Sequence, residues 1–177
     1  MKPRNKQALP VAVIVAGPAG VGKTTTAQLL SARLGWPFAE GDRFHSQANI
    51  DRMSRGEPLA DGDRIPWLAS IRDWISKQAR AGHSVVVTCS ALKRSYRDIL
   101  RGARADVRFV QLTAGRDIVG SRMAGRNGHF MPPSLLASQF AALEALQPGE
   151  AGVSIAAEEP PDVVVTRILA ALDLCNP

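Results

Sequence analysis

Val11–Ala16 (VAVIVA) is an unbroken apolar run that ends in glycine. It is far too short to span a membrane and has the length of a strand buried on both faces, as in a parallel sheet. Behind it, Gly22 to Leu34 sets Ala27, Leu30 and Leu34 on one stripe, the period of a helix, and Gly35 stops it. Trp36–Glu40 reads as a short second strand ending at Gly41-Asp42. Ser46 caps a short helix through about Arg55, broken by Gly56-Glu57-Pro58. Asp63 is placed to cap the next helix, with Pro66 in its first turn. That helix runs to about Ala81 and carries Trp67, Ile71, Trp74 and Ile75 on one face.

The second half repeats the rhythm. Ser84–Thr88 is a third strand, Lys93–Gly102 a helix and Val107–Thr113 a fourth strand. Asp117–Arg126 is a helix closed by Asn127-Gly128, Pro133–Leu146 another, Val153–Ala156 a weaker fifth strand and Asp162–Leu174 the last helix. Strand and helix alternate almost throughout, which predicts an α/β domain with helices on both faces of a parallel sheet. Right-handed crossovers then bring every strand's C-terminus to one edge, where ligands bind.

Composition changes this picture little. A chain of 177 residues with 45% apolar content fits one domain with one core, taken as 1–177 with a tail at 1–10. The basic N-terminus leads to the short apolar run and then straight into a glycine loop with no cleavage-site pattern, so no signal peptide is read. Two cysteines, Cys89 and Cys175, are too few for a disulfide framework and are expected to be reduced in a cytoplasm. Cys89 reads as core. The formal charge of +6 favours anionic partners. The arginines are scattered rather than clustered, which argues for phosphates and acidic metabolites over nucleic acid. No membrane partner is expected.

Gly17-Pro18-Ala19-Gly20-Val21-Gly22-Lys23-Thr24 matches G-x-x-x-x-G-K-[ST] in full, between a strand and a helix. The glycines let successive backbone N–H groups turn toward phosphate oxygens, and the helix that opens at Gly22 favours anions at its N-terminus. Lys23 brings a mobile charge to the β- and γ-phosphates, and Thr24, followed by Thr25, supplies a hydroxyl for Mg²⁺. ATP and Mg²⁺ are the ligands implied. A GTPase would carry N-K-x-D, and a motor ATPase a strand ending in Asp-Glu. Here the third strand ends Thr88-Cys89-Ser90, so transfer to a small metabolite is favoured. Asp42, just past the second strand, is placed to take the proton of an attacking hydroxyl. His45 beside it reads equally as cap or substrate contact.

Several separated runs then point one way: Gly41-Asp42-Arg43-Phe44-His45, Asn49-Ile50, Met53 to Leu59, Asp61-Gly62-Asp63-Arg64, Pro66-Trp67-Leu68, Cys89 to Asp98, then Arg122, Arg126, Gly128-His129-Phe130 and Gln139-Phe140. Together they resemble the gluconate kinases (gluconokinases) of the P-loop type, over roughly Val13 to Leu146. The resemblance implies ATP-dependent phosphorylation of D-gluconate to 6-phosphogluconate, a core like that of nucleoside monophosphate kinases, Mg²⁺ dependence and often a homodimer. Pro18-Ala19 and Val21 depart from a more serine-rich loop, at positions that present backbone. A sugar acid needs a cation and hydrogen-bonding groups. Ser90, Lys93 and Arg97 follow the third strand, and Lys93 and Arg97 are four apart on one helix face, so they are expected to clamp a carboxylate. Arg122 and Arg126 share a face in a lid at about 116–146, where they would neutralise the transferred phosphoryl group, with His129 a further substrate contact. Other readings at this point are a kinase for another small acceptor such as shikimate, a non-catalytic nucleotide-binding module, and an ATP-using nucleic-acid binder.

Overall fold

The computed structural model describes residues 8–125 and 135–174. Its strands are β1 (Val11–Ala16), β2 (Phe38–Glu40), β3 (Val85–Cys89), β4 (Asp106–Thr113) and β5 (Gly152–Ala156). Its helices are α1 (Lys23–Leu34), α2 (Gln47–Ser54), α3 (Asp61–Arg80), α4 (Arg94–Arg101), α5 (Arg116–Ala124), α6 (Leu136–Ala142) and α7 (Pro161–Ala171), with a 3₁₀ turn at Gly41–Phe44. The five strands form one parallel sheet in the order β2-β3-β1-β4-β5.

Alternation along β1 divides the core into two layers. Ala12, Ile14 and Ala16 face Trp67, Leu68, Ile71 and Ile75 of α3 and Tyr96 and Leu100 of α4. Val13 and Val15 face Ala27 and Leu30 of α1, Val119 of α5 and Val164, Val165 and Ile168 of α7. Leu68, Ile71 and Ile75 are fully buried, and each contributes roughly 1.5–3 kcal/mol by leaving water. No helix among the described residues is long and apolar enough to cross a membrane.

Several boundaries differ from expectation, among them β2, which starts at Phe38, and α7, which ends at Ala171. Helix α3 starts at Asp61 rather than after Asp63, so Pro66 sits in its second turn. Asp63 works from inside, its carboxylate accepting the Ala60 N–H (2.9 Å) and the Arg52 guanidinium (2.8 Å). Helix α6 stops at Ala142, four residues short of the expected Leu146. Glu144 N–H donates to Leu92 O, and the Glu144 and Ala145 carbonyls accept from Arg97 and Gln111, so side chains take over the bonds a helix would have made. Pro10, expected in the tail, accepts the Asp106 N–H at 2.9 Å and extends the sheet. The expected helix end at Arg126, Asn127-Gly128 and Cys175 lie outside the described residues.

Candidate active site

The phosphate loop follows the middle strand of the sheet. Gly17 N–H donates to Ser90 O (3.2 Å), which ties the loop to the segment after β3. Gly22, at φ +106°, takes a conformation that side-chain-bearing residues avoid. Helix α1 then begins with no side-chain cap and no acidic residue in its first turn, so its leading N–H groups remain for an anion. Lys23 Nζ donates to Pro18 O (2.9 Å), and Ala19 N–H to Gln139 Oε1 of α6 (2.6 Å). Gln139 also lines the 110 Å³ cavity described below, so one side chain touches both the phosphate loop and that cavity.

Glu40 ends β2 in register with Thr88 of β3. Its carboxylate accepts from both Thr88 Oγ1 and Thr24 Oγ1, the latter at 2.9 Å. The Gly41 N–H donates to Thr88 Oγ1 (3.0 Å), and Trp67 Nε1 donates to Gly41 O (2.8 Å). A side chain at Gly41 would collide with the Thr88 carbonyl, so the close approach requires glycine. These bonds fix the turn that carries Asp42. Asp42 follows Gly41 in that turn, and Glu40, two residues before it, holds Thr24 of the phosphate loop, so the turn stands beside the loop. Burial pushes the Cys89 thiol at the end of β3 up to about 12, and Cys89 is inert core, as expected.

His45 lies against Trp67 of α3. Its ring stacks on Trp67 with centroids 4.1 Å apart at 14°, and its buried Nδ1 has no partner among the described residues. Burial first, and the Arg64 charge second, lower its pKa to about 4. The unfolded chain therefore takes up a proton near pH 6.5 that the folded chain refuses until about pH 4. The associated stability is complete above pH 6.5 and is lost as pH falls toward 4. Urea titrations of wild type and His45→Gln at pH 7.5 and pH 5 are expected to show wild type losing the larger share on acidification. Equal losses would refute the assignment.

The expected carboxylate clamp of Lys93 and Arg97 does not form. Arg97 is completely buried: Nε and Nη2 hold Glu150 at 2.6 and 2.9 Å, and its other donors reach the carbonyls of Ala91, Leu92, Glu144 and Ala145. Four-residue spacing put it on Lys93's side of the helix, but that side turns into the protein. Lys93 instead binds both oxygens of Asp61, at 2.9 and 3.0 Å. It lines a cavity of about 110 Å³ with Asp61, Arg64, Tyr96, Ser138 and Gln139. Ser90 contributes its backbone carbonyl to Gly17, as above.

A second cavity, of about 290 Å³, lies on the other flank of the phosphate loop, lined by Gly20–Gly22, Thr25, Arg122, Ala157 and Pro161 among others. Arg122 donates to Val21 O (3.2 Å) and Ala157 O (2.9 Å). Helix α5 is linked to α6 by the Arg116 guanidinium, 5.1 Å from the Phe140 ring centroid. Arg126 and His129 lie outside the described residues.

Sheet order gives this arrangement its meaning. Asp42 and the 110 Å³ cavity follow β2 and β3 on one side of β1, and Arg122 with the larger cavity lies toward β5 and α7 on the other. A nucleotide laid along the loop would point its terminal phosphate toward the acid-bearing side, which is the layout of a P-loop kinase acting on a small acceptor. Comparison with known proteins narrows the class. A family profile described as "AAA domain" matches residues 13–146. The gluconokinase of Gluconobacter oxydans (strain 621H) is 48% identical over 157 residues, covering 89% of this chain and 88% of that protein. A crystal structure of an unliganded sugar kinase from Janibacter sp. HTCC2649 superposes with TM-score 0.90 at 47% identity, covering 94% and 96%. A gluconokinase from Sinorhizobium meliloti 1021 superposes with TM-score 0.82 at 39% identity, covering 95% and 94%. The chain belongs to the gluconokinase family.

Lys23, Thr24, Asp42 and Lys93 were singled out in the sequence, whereas Glu40, Asp61, Arg64 and Gln139, which the structure brings to the loop and the 110 Å³ cavity, were given no role there. Asp61 and Arg64 stand within the quoted runs, three apart at a helix start. That spacing was the available signal. Glu40 looked like the last residue of a strand, and its meeting with Thr24 is set by the fold.

Proposed function

We propose that this chain transfers the γ-phosphoryl group of ATP to the 6-hydroxyl of D-gluconate, forming 6-phosphogluconate in sugar-acid catabolism. The observation that carries the reading is that Glu40, two residues before the acid Asp42, binds Thr24 of the phosphate loop at 2.9 Å, on the same side as a cavity built from Asp61, Arg64 and Lys93. Backbone N–H groups of Gly17 to Thr25 cradle the phosphates, and Lys23 leaves the Pro18 carbonyl for the β- and γ-oxygens. Asp42 orients the 6-hydroxyl and takes its proton as the new P–O bond forms and the bond to ADP breaks. Arg122 steadies the nucleotide from the flank on which it is already fixed. Arg126 is proposed at the transferred phosphoryl and His129 at the acceptor, in a lid formed by about 116–146.

Mg²⁺ suits the groups present. Thr24 Oγ1 and the Glu40 carboxylate are hard oxygen donors 2.9 Å apart at the start of α1. Among the described residues no group of three or more His, Cys, Asp or Glu forms a closed metal cage. A two-donor site agrees with an ion that keeps waters and takes phosphate oxygens. Bound there, it would neutralise charge on the β- and γ-phosphates. A cytoplasmic homodimer is proposed on the family resemblance.

An assay of ADP release with Mg·ATP against gluconate, other aldonates, shikimate and nucleoside monophosphates tests the reading. Strong stimulation by gluconate above the rest is expected. A stronger response to shikimate or a nucleotide would replace the substrate assignment.

A further inference from the structure

Resting on the gluconate reading, we infer that Arg64 is the anchor for the acceptor's carboxylate, and that Asp61, held in place by Lys93 and Tyr96, reads the acceptor's hydroxyl groups. Lys93 is then a positioning residue.

Charge pairing in the 110 Å³ cavity separates the roles. Its cations are Lys93 and Arg64, and Asp61 is its acid. Lys93 is committed: its ammonium bonds both Asp61 oxygens, and the Tyr96 hydroxyl donates to Asp61 Oδ1. Drawing Lys93 away to a substrate carboxylate would break two charge-assisted bonds and leave Asp61 facing that carboxylate. Arg64 carries no such commitment. Its Nε donates to Leu59 O at 3.3 Å, and its guanidinium lies 5.7 Å from the Tyr96 ring centroid. Among the described residues it has no ion pair, and its two terminal nitrogens have no hydrogen-bond partner.

Position supports the same division. Asp61 is the first residue of α3, and Arg64 follows one turn later on the same face. Arg64 lines the cavity beside Asp61, with its guanidinium toward the Tyr96 ring. A planar guanidinium with two unpaired nitrogens matches a carboxylate in a fork, which an ammonium cannot reproduce. Asp61, with its ammonium and phenol partners already bonded, keeps lone pairs to accept from a polyol. An aldonate supplies both complements, one carboxylate and a row of hydroxyls. Only Arg64 distinguishes it from the corresponding neutral polyol.

The test compares gluconate with D-glucitol, which keeps the hydroxyl chain and replaces the carboxylate by CH₂OH. kcat/KM for each is measured with Mg·ATP in wild type, Arg64→Gln, Asp61→Asn and Lys93→Gln, each checked for folding by thermal melting. Wild type is expected to prefer gluconate by about a hundredfold, the scale of a paired charge-assisted contact. Arg64→Gln should bring gluconate down to the glucitol level and leave glucitol unchanged, and Asp61→Asn should lower both by one common factor. If Arg64→Gln fails to fold, Arg64→Lys, which keeps the charge without the fork, should show a partial loss confined to gluconate. The anchor is overturned if Arg64→Gln lowers both acceptors alike, or if Lys93→Gln abolishes the preference and Arg64→Gln does not. Wild type that turns over gluconate in either case leaves the kinase reading standing, whereas wild type inactive on gluconate removes both.

Discussion

Asp42→Asn is expected to lower kcat for gluconate by roughly 10²- to 10⁴-fold, the usual range for removing a positioned general base. The substitution preserves size and a hydrogen-bonding oxygen, so the acceptor hydroxyl is still held and KM should change little. The turn that presents residue 42 rests on other groups, namely the Gly41 N–H to Thr88 bond and the Trp67 bond to Gly41 O. Nucleotide binding should survive because the phosphate loop lies on a different strand. Steady-state kinetics in both substrates, with a nucleotide-binding titration beside them, check this. A loss confined to KM would make Asp42 a binding group only, and an unchanged kcat would remove it from the chemistry.

The second large effect is on folding. Arg97→Met is expected to cost about 3–5 kcal/mol, because it leaves the buried Glu150 carboxylate without its cation. In a domain of this size that corresponds to a fall in Tm of about 10 °C. Arg97 does more than pair: it binds carbonyls on both sides of α4, at Ala91–Leu92 and at Glu144–Ala145. It holds Ala91 at a φ of +37° and sets the path of chain leaving α6. Removing both charges together, Arg97→Met with Glu150→Leu, should recover part of the loss. The pair also predicts acid sensitivity. Arg97 holds the Glu150 carboxyl below its ordinary pKa, so the pair's contribution is present above the unfolded value of about 4.3 and is lost as pH falls through the folded one. Urea unfolding at pH 7 and pH 3 reads this. A wild-type curve no more acid-sensitive than that of Glu150→Gln would contradict it.

Arg97 also shows where sequence reading stops. Four-residue spacing reports that two side chains share a helix side, not whether that side faces solvent. Tyr96 and Leu100 form the buried stripe of α4 in the structure, and Arg97 adjoins it. Its partner Glu150 is 53 residues away, so no local pattern reveals it. The phosphate loop was legible because strand, loop and helix are contiguous and each glycine has a local reason. β1 and β3 were legible because strands buried on both faces are continuous apolar runs. β5 was weaker because it is an edge strand with alternate exposure. The start of α3 was misplaced because Asp63 reaches back to the Ala60 N–H from within the helix, whereas a cap would precede it. Thr24 and Glu40 meet only once β2 lies beside β3, so that contact belongs to tertiary structure.

Transfer to carbon six leaves its mark on the product, where phosphorus couples to one carbon. Wild type is incubated with Mg·ATP and uniformly ¹³C-labelled gluconate, and the product is examined by ³¹P and ¹³C NMR. One phosphomonoester coupled to C6 and one ADP per product is the predicted result. Inorganic phosphate alone, or phosphorus coupled to any other carbon, would contradict it.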